Sequence, residues 1–293
     1  MPILPSLFFR QTVSLSSKIS PWSAGVLPRV GHRPTLSPSL PSHKCHSSSS
    51  RFRPKRRIVL AERQLVQTAG SHENANKRFV WAVIAVNVGL FGTWKLLQIE
   101  ADQSKDTTKL RKMFDNFTLS VSGIREGRWW TAVTSSFFHV SFTHLLFNCF
   151  TFHFMGNMVA ATRGVRVYHL ATLLAGSAVF SSGAYLCHTS MYAAAQNRPA
   201  LGFSGIAYGF LAAAVCLHPT STLMIWGVVE CPAWLFGLLL VGYDSYYLHD
   251  QTSFVGHSAH LGGAAFGVAY YLLQLRKRNM GGILTILKSR RFM

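Results

Sequence analysis

The chain is short of charge. Only 13% of its 293 residues are Asp, Glu, Lys or Arg, while 49% are hydrophobic; soluble domains carry about 25% charged residues. That shortage excludes a single water-soluble core, which cannot hide so much apolar side chain. Acids are scarcer than bases, ten against 29, and residues 1–61 contain none. Cysteines are few and lack CxxC spacing: Cys45, Cys149, Cys187, Cys216 and Cys231. They form neither a zinc knuckle nor a disulfide framework, and four sit in apolar runs as small hydrophobes. There is no internal repeat of the kind that transporters show, and no H-E-x-x-H stretch.

What is present is unevenly distributed. Residues 1–61 hold 10 of the 29 Lys and Arg, the stretch after Asp250 adds 6, and residues 62–250 keep 13 basic against 10 acidic residues. Basic ends on a nearly neutral apolar body point to targeting and membrane orientation, not to nucleic-acid binding. The first 50 residues contain 13 Ser and seven Pro, with no apolar core followed by a small-residue cleavage site. A Ser-rich, Arg-containing, acid-free segment reads as an organellar transit peptide over 1–61. Arg10, Arg29, Arg33 and the Arg51–Arg57 cluster favour the mitochondrion, with the plastid as the alternative. A polar linker is expected over 62–78, a membrane domain over 79–275 and a basic tail over 276–293.

Crossing about 30 Å of hydrocarbon takes about 20 apolar residues. Six runs qualify: 79–98, 142–160, 166–187, 202–218, 222–243 and 256–275. The expected fold is therefore all-α, a polytopic six-helix membrane bundle behind a disordered N-terminal leader. All runs but the first are rich in Gly, Ala, Ser and His, which implies close helix–helix packing. Lys77, Arg78, Arg163, Arg166 and Arg276–Arg278 put both termini on the inside, the matrix face of an inner membrane. The long loop 99–141 carries Trp129, Trp130, Phe137 and Phe138, a mixture suited to the membrane interface.

Polar groups in such runs are candidates for function. Gly202-Phe203-Ser204-Gly205 opens the fourth run. Its glycines permit a tight turn, free the hydroxyl and let helix N-terminal N–H groups face a developing oxyanion. Taken alone, the tetrad is equally a small-residue contact. His260, Gly263 and Gly267 share one face of the sixth run, where the glycines admit a neighbouring backbone and press the imidazole against it. Alone, His260 reads also as a packing residue. His144 and Asn148, four apart in the second run, can both donate to an anionic oxygen or make a polar helix contact.

Together these residues resemble the rhomboid family of intramembrane serine proteases, which carries H-x-x-x-N, G-x-S-G and A-H-x-x-G in its second, fourth and sixth core helices. The resemblance covers about residues 79–275, including the first run Phe79–Asn87. It implies Ser204 as nucleophile, His260 as general base, and His144, Asn148 and the Ser204 N–H as the oxyanion hole. Tyr208 would stack on the imidazole, and Gly202, Gly205, Gly263 and Gly267 would serve close packing. It implies no cofactor and no metal; the partners would be membrane-anchored protein substrates and the bilayer. One departure concerns the first loop, which reads Arg128-Trp129-Trp130 where the family has Trp-Arg. Trp130 thus takes the place of a buried guanidinium.

Apart from the border at 243–244, the acid inside the expected helices is Glu230, remote from the motifs. The expectation is accordingly a Ser204–His260 dyad without a carboxylate, Glu230 serving as an interhelical hydrogen-bond partner. The rival readings are a catalytically silent rhomboid-like protein that escorts membrane clients, a small transporter, and a zinc protease using His139/His144 or His257/His260. The last lacks a nearby Asp or Glu ligand in the sequence. His153, His169, His188, His218 and His249 read as packing or loop residues.

Overall fold

A computed structural model describes residues 9–10, 55–192, 197–225, 228–250 and 255–277, with helix α1 (Lys55–Ser104) described in its side chains from residue 72 onward. The chain divides into two units, Met1–Thr12 with Thr68–Met293, and Val13–Gln67. Of the second, the described part is the beginning of α1. The expected leader and tail lie almost wholly outside the described residues.

Helix α1 spans Lys55–Ser104, so residues 62–78 continue the helix where a linker was expected. Val80, Val83, Asn87, Trp94 and Ala101 are buried; their alternating steps of three and four, or sums of these, mark one helix face. Trp81, Val86, Val88, Leu96 and Ile99 point outward. Asn76 anchors the helix by donating to the carbonyls of Ala160 (2.9 Å) and Val165 (3.0 Å). The first satisfies the carbonyl of the last residue of a helix and the second one in the turn that follows, each worth about 1 kcal/mol net.

Three short helices, α2 (Thr108–Phe117), α3 (Val121–Arg125) and α4 (Thr131–Thr134), and a 3-10 turn at Ser135–Phe137 fill the first loop. Trp129 is 73% exposed. Trp130 is not buried either; its Nε1 donates to Asn116 Oδ1 at 3.1 Å. A guanidinium is present at Arg128, which lies against Gly123 and pairs with Glu126 at 2.5 Å. The cation of the loop has thus moved two positions rather than being lost.

The remaining helices are α5 (Phe142–Ala160), α6 (Val167–Ser190), α7 (Ser204–Leu217), α8 (Ala233–Tyr246) and α9 (His257–Tyr270), the last extended by a π-turn at Tyr271–Leu275. His72–Ser104 and α6 are long and apolar enough to cross a membrane, whereas α7 is a shorter apolar helix. The fifth expected run is only partly helical. Its first half forms a hairpin, β2 (Thr222–Ile225) with β3 (Val229–Pro232), and Phe9–Arg10 (β1) pairs with the free edge of β2. β-Branched residues and Pro232, which cannot donate a backbone bond, explain why the helix begins only at Ala233. Glu230 consequently lies exposed on β3, not between helices.

Helix α7 is the most enclosed, lying among α5, α6, α8 and α9. Its contacts follow small-residue stripes one turn apart. A Cβ at Gly205 or Gly209 would strike Ser181 or Ser177 of α6. One at Gly263 or Gly267 would overlap the carbonyl oxygen of Gly205 or Gly209. The α7 and α9 backbones therefore touch, a separation that only hydrogen side chains allow.

This packing predicts a contrast between two glycines. Gly263→Ala should destabilise the purified protein by about 1–3 kcal/mol, the cost of overpacking. Gly92→Ala, whose added methyl meets nothing within 4 Å, should be neutral or stabilising by less than about 1 kcal/mol. Thermal unfolding of both variants in detergent checks this; equal midpoints would mean that the two backbones are not held in contact.

Candidate active site

The segment leading into α7 is fixed before the helix starts. Leu119 and Ala200 exchange backbone bonds of 2.8 and 2.7 Å, and the Gly202 N–H donates to Ser135 O at 2.9 Å. Gly202 has φ +116°, a conformation side chains rarely adopt, and a Cβ there would lie 2.5 Å from the His144 ring. Phe203 is buried and packs edge-on against Phe152 at 4.8 Å. Ser204 then occupies the first position of the helix, where backbone N–H groups lack intrahelical acceptors.

The first turn of α9 lies across from it. His260 Nε2 stands 2.9 Å from Ser204 Oγ. The Tyr208 ring, one turn along α7, stacks on the imidazole at 4.2 Å and 14°. Behind the imidazole is a group that the sequence reading did not assign. Asp244, near the end of α8, places Oδ1 3.0 Å from His260 Nδ1 and 2.6 Å from His257 Nδ1. It is 1% exposed, and Tyr208 faces it as well. The expectation of a dyad with no carboxylate is thus corrected: Ser204, His260 and Asp244 form a continuous chain of hydrogen bonds. The expectation that the His257/His260 pair has no acid nearby fails for the same reason.

That chain fixes protonation. A carboxylate is an acceptor, so both Nδ1 atoms must carry hydrogens. A neutral His260 then presents an unprotonated Nε2 to Ser204, the state a general base requires. The signal that could have revealed Asp244 was slight. It is an acid at the end of an apolar run, followed 13 and 16 residues later by two histidines on one helix face.

His144 and Asn148 end up in different settings. His144 lies against Gly202 and meets His139 edge-on, with ring centres 5.1 Å apart. Asn148 Nδ2 donates to His139 Nε2 at 3.0 Å, and the same nitrogen accepts the Phe203 N–H at 3.2 Å. Burial, with the neighbouring His144, pushes the His139 imidazole down to about 3. The ring is therefore neutral and its Nε2 is an acceptor. His139, read from the sequence only as a possible metal partner of His144, is the link that ties α5 to the N-terminus of α7.

A serine at a helix N-terminus and an imidazole held by a buried acid and an aromatic ring thus lie together within a helical body. Residues 126–277 match the Rhomboid domain, just over half of the chain, and the chain belongs to the rhomboid family. It is similar to RHOMBOID-like protein 12, mitochondrial, of Arabidopsis thaliana, 29% identical over 203 residues, which cover 65% of this chain and 56% of that protein. It is also similar to Rhomboid protein 1, mitochondrial, of Saccharomyces cerevisiae, 27% identical, covering 66% and 52%. Presenilin-associated rhomboid-like protein A, mitochondrial, of Danio rerio is 33% identical over 143 residues, 47% of this chain and 36% of the other. The chain spans little more than half the length of the first two.

The role of Asp244 is open to a direct test. Asp244→Asn removes the acceptor that sets the tautomer, and should slow fluorophosphonate labelling of Ser204 at least about 100-fold. Glu230→Gln, on the exposed hairpin, should label at the wild-type rate. Wild-type labelling of Asp244→Asn would reduce the acid to a packing role.

Proposed function

We propose that this protein is an intramembrane serine endopeptidase that cleaves membrane-anchored proteins in or near their spanning segments. The observation that carries the reading is the 2.9 Å contact between Ser204 Oγ and His260 Nε2, with Asp244 behind it. A serine hydroxyl is a poor nucleophile until a base removes its proton during attack. In the proposed reaction Ser204 Oγ bonds to the scissile carbonyl carbon as its proton passes to His260 Nε2. The carbonyl oxygen becomes an oxyanion beside the α7 N-terminus. There the Ser204 N–H, His144 and the remaining amide hydrogen of Asn148 would donate to it. Collapse breaks the C–N bond, and His260 returns the proton to the leaving amine. Water then attacks the acyl ester, with His260 again as base.

The membrane setting follows the same reading. The proposed bundle crosses the bilayer six times, through α1 and α5–α9. Helix α7, at 14 residues, is only about 21 Å long, which suits a helix enclosed by the others and ending in a water-accessible hollow. Substrate helices would enter sideways and fray at Gly, Pro or polar residues to expose their carbonyls. The basic loops and the mitochondrial names of the relatives support an inner mitochondrial membrane with both termini in the matrix.

Ser204→Ala and His260→Ala should abolish cleavage of a transmembrane reporter in proteoliposomes. His144→Ala or Asn148→Ala should slow it by about 10- to 1000-fold. Persistent cleavage by purified Ser204→Ala protein would refute the nucleophile. A wild type that neither cleaves nor takes up a fluorophosphonate would favour the silent, client-binding reading.

A further inference from the structure

Asp244, His257 and His260 present more than a hydrogen-bonded acid. One ligand atom from each lies within 4.8 Å of the other two, and all three residues are buried. Two imidazole nitrogens and a carboxylate oxygen are a Zn2+ donor set. The trio also has spare capacity. Both histidines reach Oδ1, so Asp244 Oδ2 is a buried oxygen that receives neither imidazole, with Tyr208 the other group beside the carboxylate. His257 and His260 are three residues apart in one helix turn, which holds their Nδ1 atoms on the same side toward Asp244.

We infer that these residues form an inhibitory transition-metal site, for which Zn2+ is the fitting ion. In the metal-free arrangement each ring holds its hydrogen on Nδ1 and gives it to Asp244. Ligation needs the Nδ1 lone pair, so each neutral ring moves its single hydrogen to Nε2; no proton is gained or lost overall. Asp244 stays ionised and offers Oδ1 or Oδ2 to the metal. For His260 the shift reverses its relation to Ser204. Nε2 becomes a donor to Oγ and can no longer accept the serine's proton. The metal therefore switches the base off by choosing its tautomer, without touching the nucleophile. The inhibitory consequence rests on the proposed role of His260 as base; the metal site itself does not.

The test uses the full-length chain in detergent. Co2+ added to chelator-treated wild type and to Ser204→Ala should give the visible ligand-field bands of a low-coordinate nitrogen and oxygen site, displaced by Zn2+. His257→Phe should lose them. In wild type, Zn2+ should block fluorophosphonate labelling reversibly, and a chelator should restore it. His257→Phe, short of one ligand, should raise the Zn2+ midpoint at least about tenfold. Absent bands, bands retained in His257→Phe, or thiolate charge-transfer bands from the free cysteines would overturn the site. Because Ser204→Ala reports binding without activity, loss of the protease reading and loss of the metal site are seen separately. Should His257→Phe fail to fold, competition by protons in wild type decides. Zn2+ binding that does not weaken as pH falls through the histidine range excludes imidazole ligands.

Discussion

Everything at the site depends on two helix backbones being allowed to touch. A hydrogen bond of 2.9 Å between side chains as short as serine and histidine requires their helices to be nearer than ordinary side chains permit. The closest packed helix pairs are 8–10 Å apart when larger residues intervene. Gly205 and Gly209 on α7 face Gly263 and Gly267 on α9, and Ser177 and Ser181 close the third side from α6. The same four glycines leave no side chain to adjust, so the separation is set by backbone contact and not by rotamer choice. The Ser204–His260 geometry and helix packing are here one property, and a methyl group in the wrong place disturbs both.

The second layer of order is electrostatic. One carboxylate oxygen receives two imidazoles, and a phenol ring covers one of them. Burying an acid is costly unless it is paired, and Asp244 Oδ1 is paired with both rings. The result is a tautomer chosen by structure. On the other side of Ser204, a neutral His139 collects the Asn148 amide and the Phe203 N–H. The serine thus lies between an imidazole whose Nε2 faces its hydroxyl and a second imidazole that fixes the backbone just before it.

Much of this arrangement was readable from the sequence only when the motifs were taken together: each alone fits ordinary small-residue or polar helix packing, and their order along the chain carries the resemblance to the rhomboid family. The runs that carry Ser204, His260 and His144 were visible as hydrophobic stretches, and all six stretches contain helix. What escaped was decided in three dimensions or at boundaries. Asp244 falls where an apolar run gives way to a loop, and nothing local distinguishes it from a solvated acid. The hairpin at Thr222–Pro232 is apolar without a period, and such a run cannot be assigned to helix or strand by pattern alone. Residues 62–78 are polar, yet they continue a helix already established by the apolar face that follows. Ser177 and Ser181 are ordinary small residues until a glycine helix is laid on them. In the first loop, Trp130 drew attention because it replaced an expected cation, while Arg128, two residues earlier, supplied one.

The paired bonds between Leu119 and Ala200 and the bond from Gly202 to Ser135 carry one more consequence. They register the Ser204 hydroxyl to a stretch of chain far upstream, so that the residues between those two anchors act as a ruler. Lengthening the chain between 119 and 135 shifts one anchor against the other and drags the start of α7 out of line with α9. The length of that stretch of the first loop therefore bears directly on where α7 begins, although the two lie far apart in the chain.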